Sequence, residues 1–318
     1  APGRCALTIG NFDGVHRGHR ALIGRVTAKA RELDLTSCVL TFEPHPREFF
    51  GGYAAPARLT RLRDKLELME ATGVQRVHVA RFDARFAALS ADRFIEDVLV
   101  HGLRTRWLLV GRDFRFGALR TGDYAALEGA GARHGFEVES IPDVVHEGMR
   151  VSSSAVREAL AAGDLAGAER LLGHPYTISG RVAHGAKLGR GLGFPTANIV
   201  LRRPPPLGGI FAVEVDGLAN GMRSGMRSGM RSGMRSGMRS GMRSGVASIG
   251  RRPTVNPVPL PLLEVHLFDW DGDLYGAHLR VRFLKKLRDE KKFDGIEALK
   301  EAIARDAREA REYFDNHG

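Results

Sequence analysis

The sequence has few of the residues that staple a fold and no run that could span a membrane. Only two cysteines, Cys5 and Cys38, occur in 318 residues. That is too few for a disulfide framework or a paired metal knuckle, and it fits a reducing compartment and an expected cytoplasmic location. No apolar run approaches the roughly 20 residues that cross a bilayer, which excludes a membrane-spanning protein. With 43% hydrophobic and 27% charged residues, the chain sits near the globular average, so wholesale disorder is excluded too. Its length suggests about two domains.

Acid is missing from one tract in particular. Residues 221–244 read GMRS six times over and contribute six arginines without a single carboxylate. With those six set aside, 42 basic face 37 acidic side chains, so most of the net charge of +11 belongs to low-complexity sequence. The basic excess is therefore a poor argument for nucleic acid, and no nucleic-acid partner is expected. Gly and Ser every fourth residue discourage a helix, and an exposed, mobile loop is expected. An Arg-rich arm for RNA or an acidic partner is the alternative.

The first half alternates apolar runs of β type (5–10, 37–42, 76–80 and 106–111) with amphipathic stretches. One such stretch places Val15, Leu22, Val26, Ala30 and Leu33 on a single stripe. A second centres on Leu62, Leu66 and Met69, and a third lies near Phe94–Val100. Such alternation predicts a parallel sheet covered by helices on both faces. Ligands bind such sheets beyond the carboxyl ends of the strands. From Tyr176 onward, short alternating strands between Gly- and Pro-rich turns predict an antiparallel sandwich or small barrel. A closing helix carries Ile296, Leu299, Ile303, Ala307, Ala310 and Phe314. The expected organisation is an α/β domain over 1–173 and a β domain with a C-terminal helix over 174–318.

The first half contains GNFDGVHRGH, Gly10 to His19, which leaves a strand through Gly10 and Phe12, turns and enters a helix. Such a turn gathers backbone N–H groups and the positive helix end at one spot, which suits a phosphate. His16 and His19 are three apart and share one side of the first turn, where two imidazoles can stabilise charge on a transferring phosphate. A zinc pair or two solvated histidines is the competing reading, although no third ligand has suitable spacing. A second element, Val151 to Arg157, offers the hydroxyls of Ser153 and Ser154 at a helix start and the guanidinium of Arg157. In isolation it reads as an N-cap and a surface arginine. The first element resembles the HxGH signature of the nucleotidyltransferase superfamily, and the second resembles another element of that superfamily.

VGRDFRFG (110–117) and TFEPHPREFF (41–50) both follow strands at the expected ligand edge. There Asp113 could hold Mg²⁺ or position a phosphate-bearing substrate while Phe114 and Phe116 pack on a flat ring; the alternative is that Asp113 caps a turn and the two rings are core. Both segments are similar to ones lining the active site of bacterial FMN adenylyltransferases, which implies flavin-side roles for Asp113 and His45.

In the second half, residues 180–199 closely resemble the riboflavin kinase signature, whose core is GFPTAN. Thr196 and Asn198 are two apart and face one side of an extended chain; their oxygens are hard ligands suited to Mg²⁺. Gly185, Gly189 and Gly193 leave room for backbone to close around phosphates. Alternation puts Leu263, Val265 and Leu267 on one strand face and Glu264 and His266 on the other. Spacing alone makes Glu264 a solvated residue; the resemblance to riboflavin kinases implies that it is the base for the ribityl hydroxyl. Residues 285–293 resemble the segment that helps enclose the flavin, which implies roles for Arg288 and Phe293.

End to end, the chain resembles the bacterial bifunctional riboflavin kinase/FMN adenylyltransferases. The resemblance implies a Rossmann-like domain followed by a Greek-key barrel, Mg²⁺ as metal, ATP as co-substrate, and riboflavin and FMN as acceptors. An adenylyltransferase for another phosphorylated acceptor leaves the GFPTAN half without a role. A binding regulator leaves Glu264, Thr196 and Asn198 without one.

Overall fold

The computed structural model describes residues 3–184, 194–218, 241–251 and 261–317. Two compact units are present, one comprising residues 1–56 and 62–153, the other residues 57–61 and 154–318.

The first unit is built on five parallel strands: β1 (Cys5–Ile9), β2 (Thr36–Glu43), β3 (Arg76–Arg81), β4 (Thr105–Val110) and β5 (Glu137–Ser140), in the order β3-β2-β1-β4-β5. Strand alternation sorts the core. Cys5, Leu7 and Ile9 face Phe94, Ile95 and Leu99 on one side, while Ala6, Trp107 and Leu109 face Val26 and Ala30 on the other. The helices that cover the sheet are α1 (Arg17–Glu32), α2 (Pro46–Gly51), α3 (Leu62–Glu70), α4 (Ala84–Ala87), α5 (Ala91–Arg93), which continues with π winding over Phe94–Gly102, and α6 (Tyr124–His134). The chain winds outward from β1 to β3, then crosses back to β4. The gap above β1 and β4 is thus a topological switch point.

Two stripes are phased differently from expectation. α1 ends at Glu32, so Leu33 is its C-cap and is 40% exposed, while Ile23 is fully buried. In α3, Met69 is buried as expected, but so are Asp64 and Lys65. Cys5 and Cys38 are free thiols in the core, with Cys5 Sγ donating to the Leu103 carbonyl.

The second unit holds α7 (Ser153–Ala162), except its first residue, α8 (Leu165–Leu172) and a closed barrel. After a short antiparallel pair in the first unit, β6 (Val145–His146) and β7 (Met149–Arg150), the barrel strands are β8 (Thr177–Ala183), β9 (Ala197–Val200), β10 (Gly209–Asp216), β11 (Arg243–Arg251), β12 (Pro261–Leu267) and β13 (His278–Arg288). Their order is β10-β11-β12-β9-β8-β13, and β13 closes onto β10. Burial alternates along β12, with Leu263, Val265 and Leu267 inward. The last GMRS copy, Gly241–Ser244, enters β11, where Arg243 pairs with Val215 and Ser244 with Glu214. The other five copies lie outside the described residues. The closing helix α9 (Ile296–His317) meets the barrel through Ala307, Ala310, Tyr313 and Phe314 around Phe268. Ile296, expected on its stripe, is 67% exposed. No helix among the described residues is long and apolar enough to cross a membrane.

Candidate active sites

In the first unit a cavity of about 1180 Å³ opens where β1, β2 and β4 end. Gly10, Asn11, His16 and His19 line it from one side, Gly111, Asp113, Phe114 and Phe116 from another, and Ser152 and Ser153 also contribute. The turn from β1 into α1 is unusual: Phe12 (φ 49) and Val15 (φ 41) are both left-handed without being glycine, alongside Gly14 (φ 88). Such conformations cost about 1–3 kcal/mol each and persist only where surroundings enforce them.

His16 caps α1, its Nδ1 accepting the His19 backbone N–H at 3.3 Å. That leaves its Nε2 to carry the proton of a neutral ring. The two imidazoles stack, centroids 3.6 Å apart and planes 15° off parallel, with the buried Phe12 ring 4.9 Å from His19. A Cβ on Gly18 would sit 3.2 Å from the His16 ring, so the glycine between the histidines leaves the ring room to lie as it does. Burial holds His19 well below the ordinary histidine range, helped by His16 and by the charge of Lys65. His19 Nδ1 is sealed from solvent without a hydrogen-bond partner. Among the described residues, no cluster of three His, Cys, Asp or Glu could hold a metal, so none completes a zinc site around this pair.

Ser153 Oγ donates to the Asp13 carbonyl at 3.0 Å and so braces the same turn. Ser154 and Arg157 belong to the second unit, where Arg157 Nε donates to the Ala57 carbonyl at 2.6 Å. Asp113 is exposed at the cavity wall. His45 is buried as the cap of α2, its Nδ1 accepting from the Arg47 N–H at 3.0 Å, while Pro46 and Arg47 line the cavity. Sequence patterning did not reveal the ring array beside them. Phe49, Phe50 and Phe86 pack at steep angles around Phe82, and Phe86 continues to Phe94 and Phe116. Phenylalanines scattered over 42–116 signal a core in one dimension and a cavity wall only in three.

The barrel gathers the second set. Glu264 stands opposite Asn198 across β12 and β9, and opposite Ser248 across β12 and β11. Asn198 is buried, its Nδ2 donating to the Thr196 carbonyl at 3.3 Å. Its Oδ1 is buried without a partner, an acceptor oriented for a cation or donor. His266 Nδ1 lies 2.9 Å from the Pro195 carbonyl, and its ring meets Phe194 edge-on at 5.3 Å, docking the segment that carries Thr196. Glu290 was not foreseen. Its carboxyl is pushed up by partial burial and by the charge of Glu264, and it packs against Gly250 where a Cβ would be. Arg288 makes a forked pair with the buried Asp306 of α9, at 2.9 and 2.6 Å, and lies 5.4 Å over the Phe293 ring. Gly185, Gly189 and Gly193 fall outside the described residues.

Both halves of the chain match known proteins. The FAD synthetase family profile matches residues 1–155 and that of riboflavin kinase residues 172–314. A bifunctional riboflavin kinase/FMN adenylyltransferase of Escherichia coli is 50% identical over 311 residues, covering 98% of this chain and 93% of the relative. Its counterpart in Haemophilus influenzae is 47% identical over 313 residues, covering 98% and 95%. A crystal structure described as a macrolide-efflux protein from Streptococcus pneumoniae superposes with a TM-score of 0.74 at 26% identity, covering 95% of this chain and 92% of that one. With both profiles matched in order and relatives half identical from end to end, the chain is a member of the bifunctional riboflavin kinase/FMN adenylyltransferase family.

Proposed function

We propose that the two halves divide FAD synthesis, with 174–318 phosphorylating riboflavin and 1–173 adenylylating the FMN produced. The observation that carries the kinase assignment is the cross-strand pairing of Glu264 with Asn198. Glu264 takes the proton from the ribityl hydroxyl as its oxygen attacks the γ-phosphorus of ATP; the bond to the β–γ bridging oxygen breaks and ADP leaves. The orphaned Asn198 Oδ1 supports a Mg²⁺ site there, with Thr196 as its second protein ligand. When bound, the ion neutralises phosphate charge.

In the transferase half, a phosphate oxygen of FMN attacks the α-phosphorus of ATP and pyrophosphate leaves, with no covalent enzyme intermediate. The stacked His16–His19 pair at the cavity edge donates to the oxygens on which charge builds. Ser153, Ser154 and Arg157 serve the triphosphate, the neighbouring glycines and Phe12 shape its turn, and Asp113 and His45 serve the FMN side. Arg288 and Phe293 serve riboflavin in the kinase half, and a cytoplasmic location accompanies this assignment.

The test is a time course of separated flavins from riboflavin and Mg-ATP. FMN that rises and then gives way to FAD supports both assignments. His19→Gln should stop the sequence at FMN. A variant that still makes FAD at the original rate removes His19 from its role.

A further inference from the structure

Lys65 is only 2% exposed. Burying an ammonium costs several kcal/mol unless strong acceptors meet it, so its place in the short helix α3 calls for a reason. Its Nζ donates to the backbone carbonyl of Asn11 at 2.7 Å. The same oxygen accepts from Thr41 Oγ1, near the end of β2, at 3.2 Å. Two elements thus converge on one carbonyl of the turn that leads to the histidines. That carbonyl begins the peptide whose next residue, Phe12, is left-handed and packs its ring against His19. A charge-assisted hydrogen bond is about twice as strong as a neutral one, and here it fixes a peptide plane that the turn would not hold unaided. Lys65 does not line the cavity; it touches Asn11, which does.

We propose that Lys65 is a positioning residue for adenylyl transfer, holding the Asn11 carbonyl so that the strained turn presents the His16–His19 pair to the cavity. This rests on the transferase assignment above. The charge has a second effect. His19 is faced by His16 from its own turn and by Lys65 from α3, and both oppose its protonation.

The test compares Lys65→Met and Thr41→Val in the full chain, measuring FMN adenylylation, its pH profile and riboflavin phosphorylation in each preparation. Lys65→Met should lower kcat for FAD formation about tenfold, more than it changes KM for ATP. The limb of the profile governed by the histidines should move to higher pH, because a positive neighbour has gone. Thr41→Val removes a donor without removing charge, so it should lower kcat severalfold and leave the profile in place. Riboflavin phosphorylation should be unchanged in both. Lys65→Met with the original kcat, or with a lowered kcat and an unmoved profile, overturns the proposal. If Lys65→Met also loses the kinase, Thr41→Val decides, and an unchanged rate in that variant overturns it. Failure of the unaltered chain to convert FMN to FAD would instead overturn the transferase assignment.

Discussion

Glu264 and Asn198 face each other across an antiparallel pair, one on β12 and the other on β9. Opposed side chains on neighbouring strands lie about 4.5–5.5 Å apart at Cβ, so the ladder itself holds a carboxylate beside an amide whose oxygen is buried and unpartnered. Rigid strands place such groups more accurately than loops do.

Replacing Glu264 with Gln keeps shape and removes the base. Riboflavin phosphorylation should fall at least 100-fold, while conversion of added FMN to FAD stays at its original rate. Separate assays of the two half-reactions in one preparation check this.

Gly18→Ala puts a methyl 3.2 Å from the His16 ring. Alanine is favoured over glycine within a helix by up to about 1 kcal/mol, which offsets the crowding of the buried His16 ring, so the melting temperature should change little. Adenylyl transfer should nevertheless fall severalfold as the His16 ring shifts. A melting curve alongside an FAD-formation assay separates the two effects.

Burial holds His19 well below the ordinary histidine range in the folded chain, whereas the unfolded chain titrates at about 6.5. Below that value the unfolded state binds the extra proton, so this group's contribution to stability declines as pH falls through 6.5 toward the folded value. His19→Gln should flatten that part of the stability curve, as measured by denaturant unfolding between pH 5 and 7.

Asp306 is 3% exposed and holds Arg288 in a forked pair. Asp306→Ala leaves a half-buried guanidinium without that partner. Because Arg288 is partly solvated, a loss of about 2 kcal/mol is expected rather than the larger cost of a fully buried pair. Thermal unfolding measures it, and riboflavin affinity shows whether Arg288 also serves the flavin.

Periodicity reveals what packs on one face of one element. It therefore made β1 to β4, β12 and the alternation about Glu264 legible. β9 was legible only as extended chain around Thr196 and Asn198, because four residues are too few for an alternation to mark a strand. β5 escaped because its sequence, EVES, is half acidic. Lys65 escaped for a different reason: a lysine on an amphipathic helix looks like its solvent face, and only the Asn11 carbonyl, 54 residues away, reveals otherwise. Ile296 misled in the opposite direction, since an apolar side chain at a helix start counts toward the stripe whether or not anything lies beneath it. The histidine pair was visible as spacing, but its stacking and the left-handed Phe12 and Val15 were not.

The entry of the last GMRS copy into β11 means that one strand begins inside a tandem array. Every copy ends in the same Arg-Ser and is followed by Gly, so any whole number of units delivers an identical first segment to the ladder beside Glu214 and Val215. The tract can thus lengthen or shorten by complete units, as replication slippage would make it do, without altering a single pairing that the barrel reads.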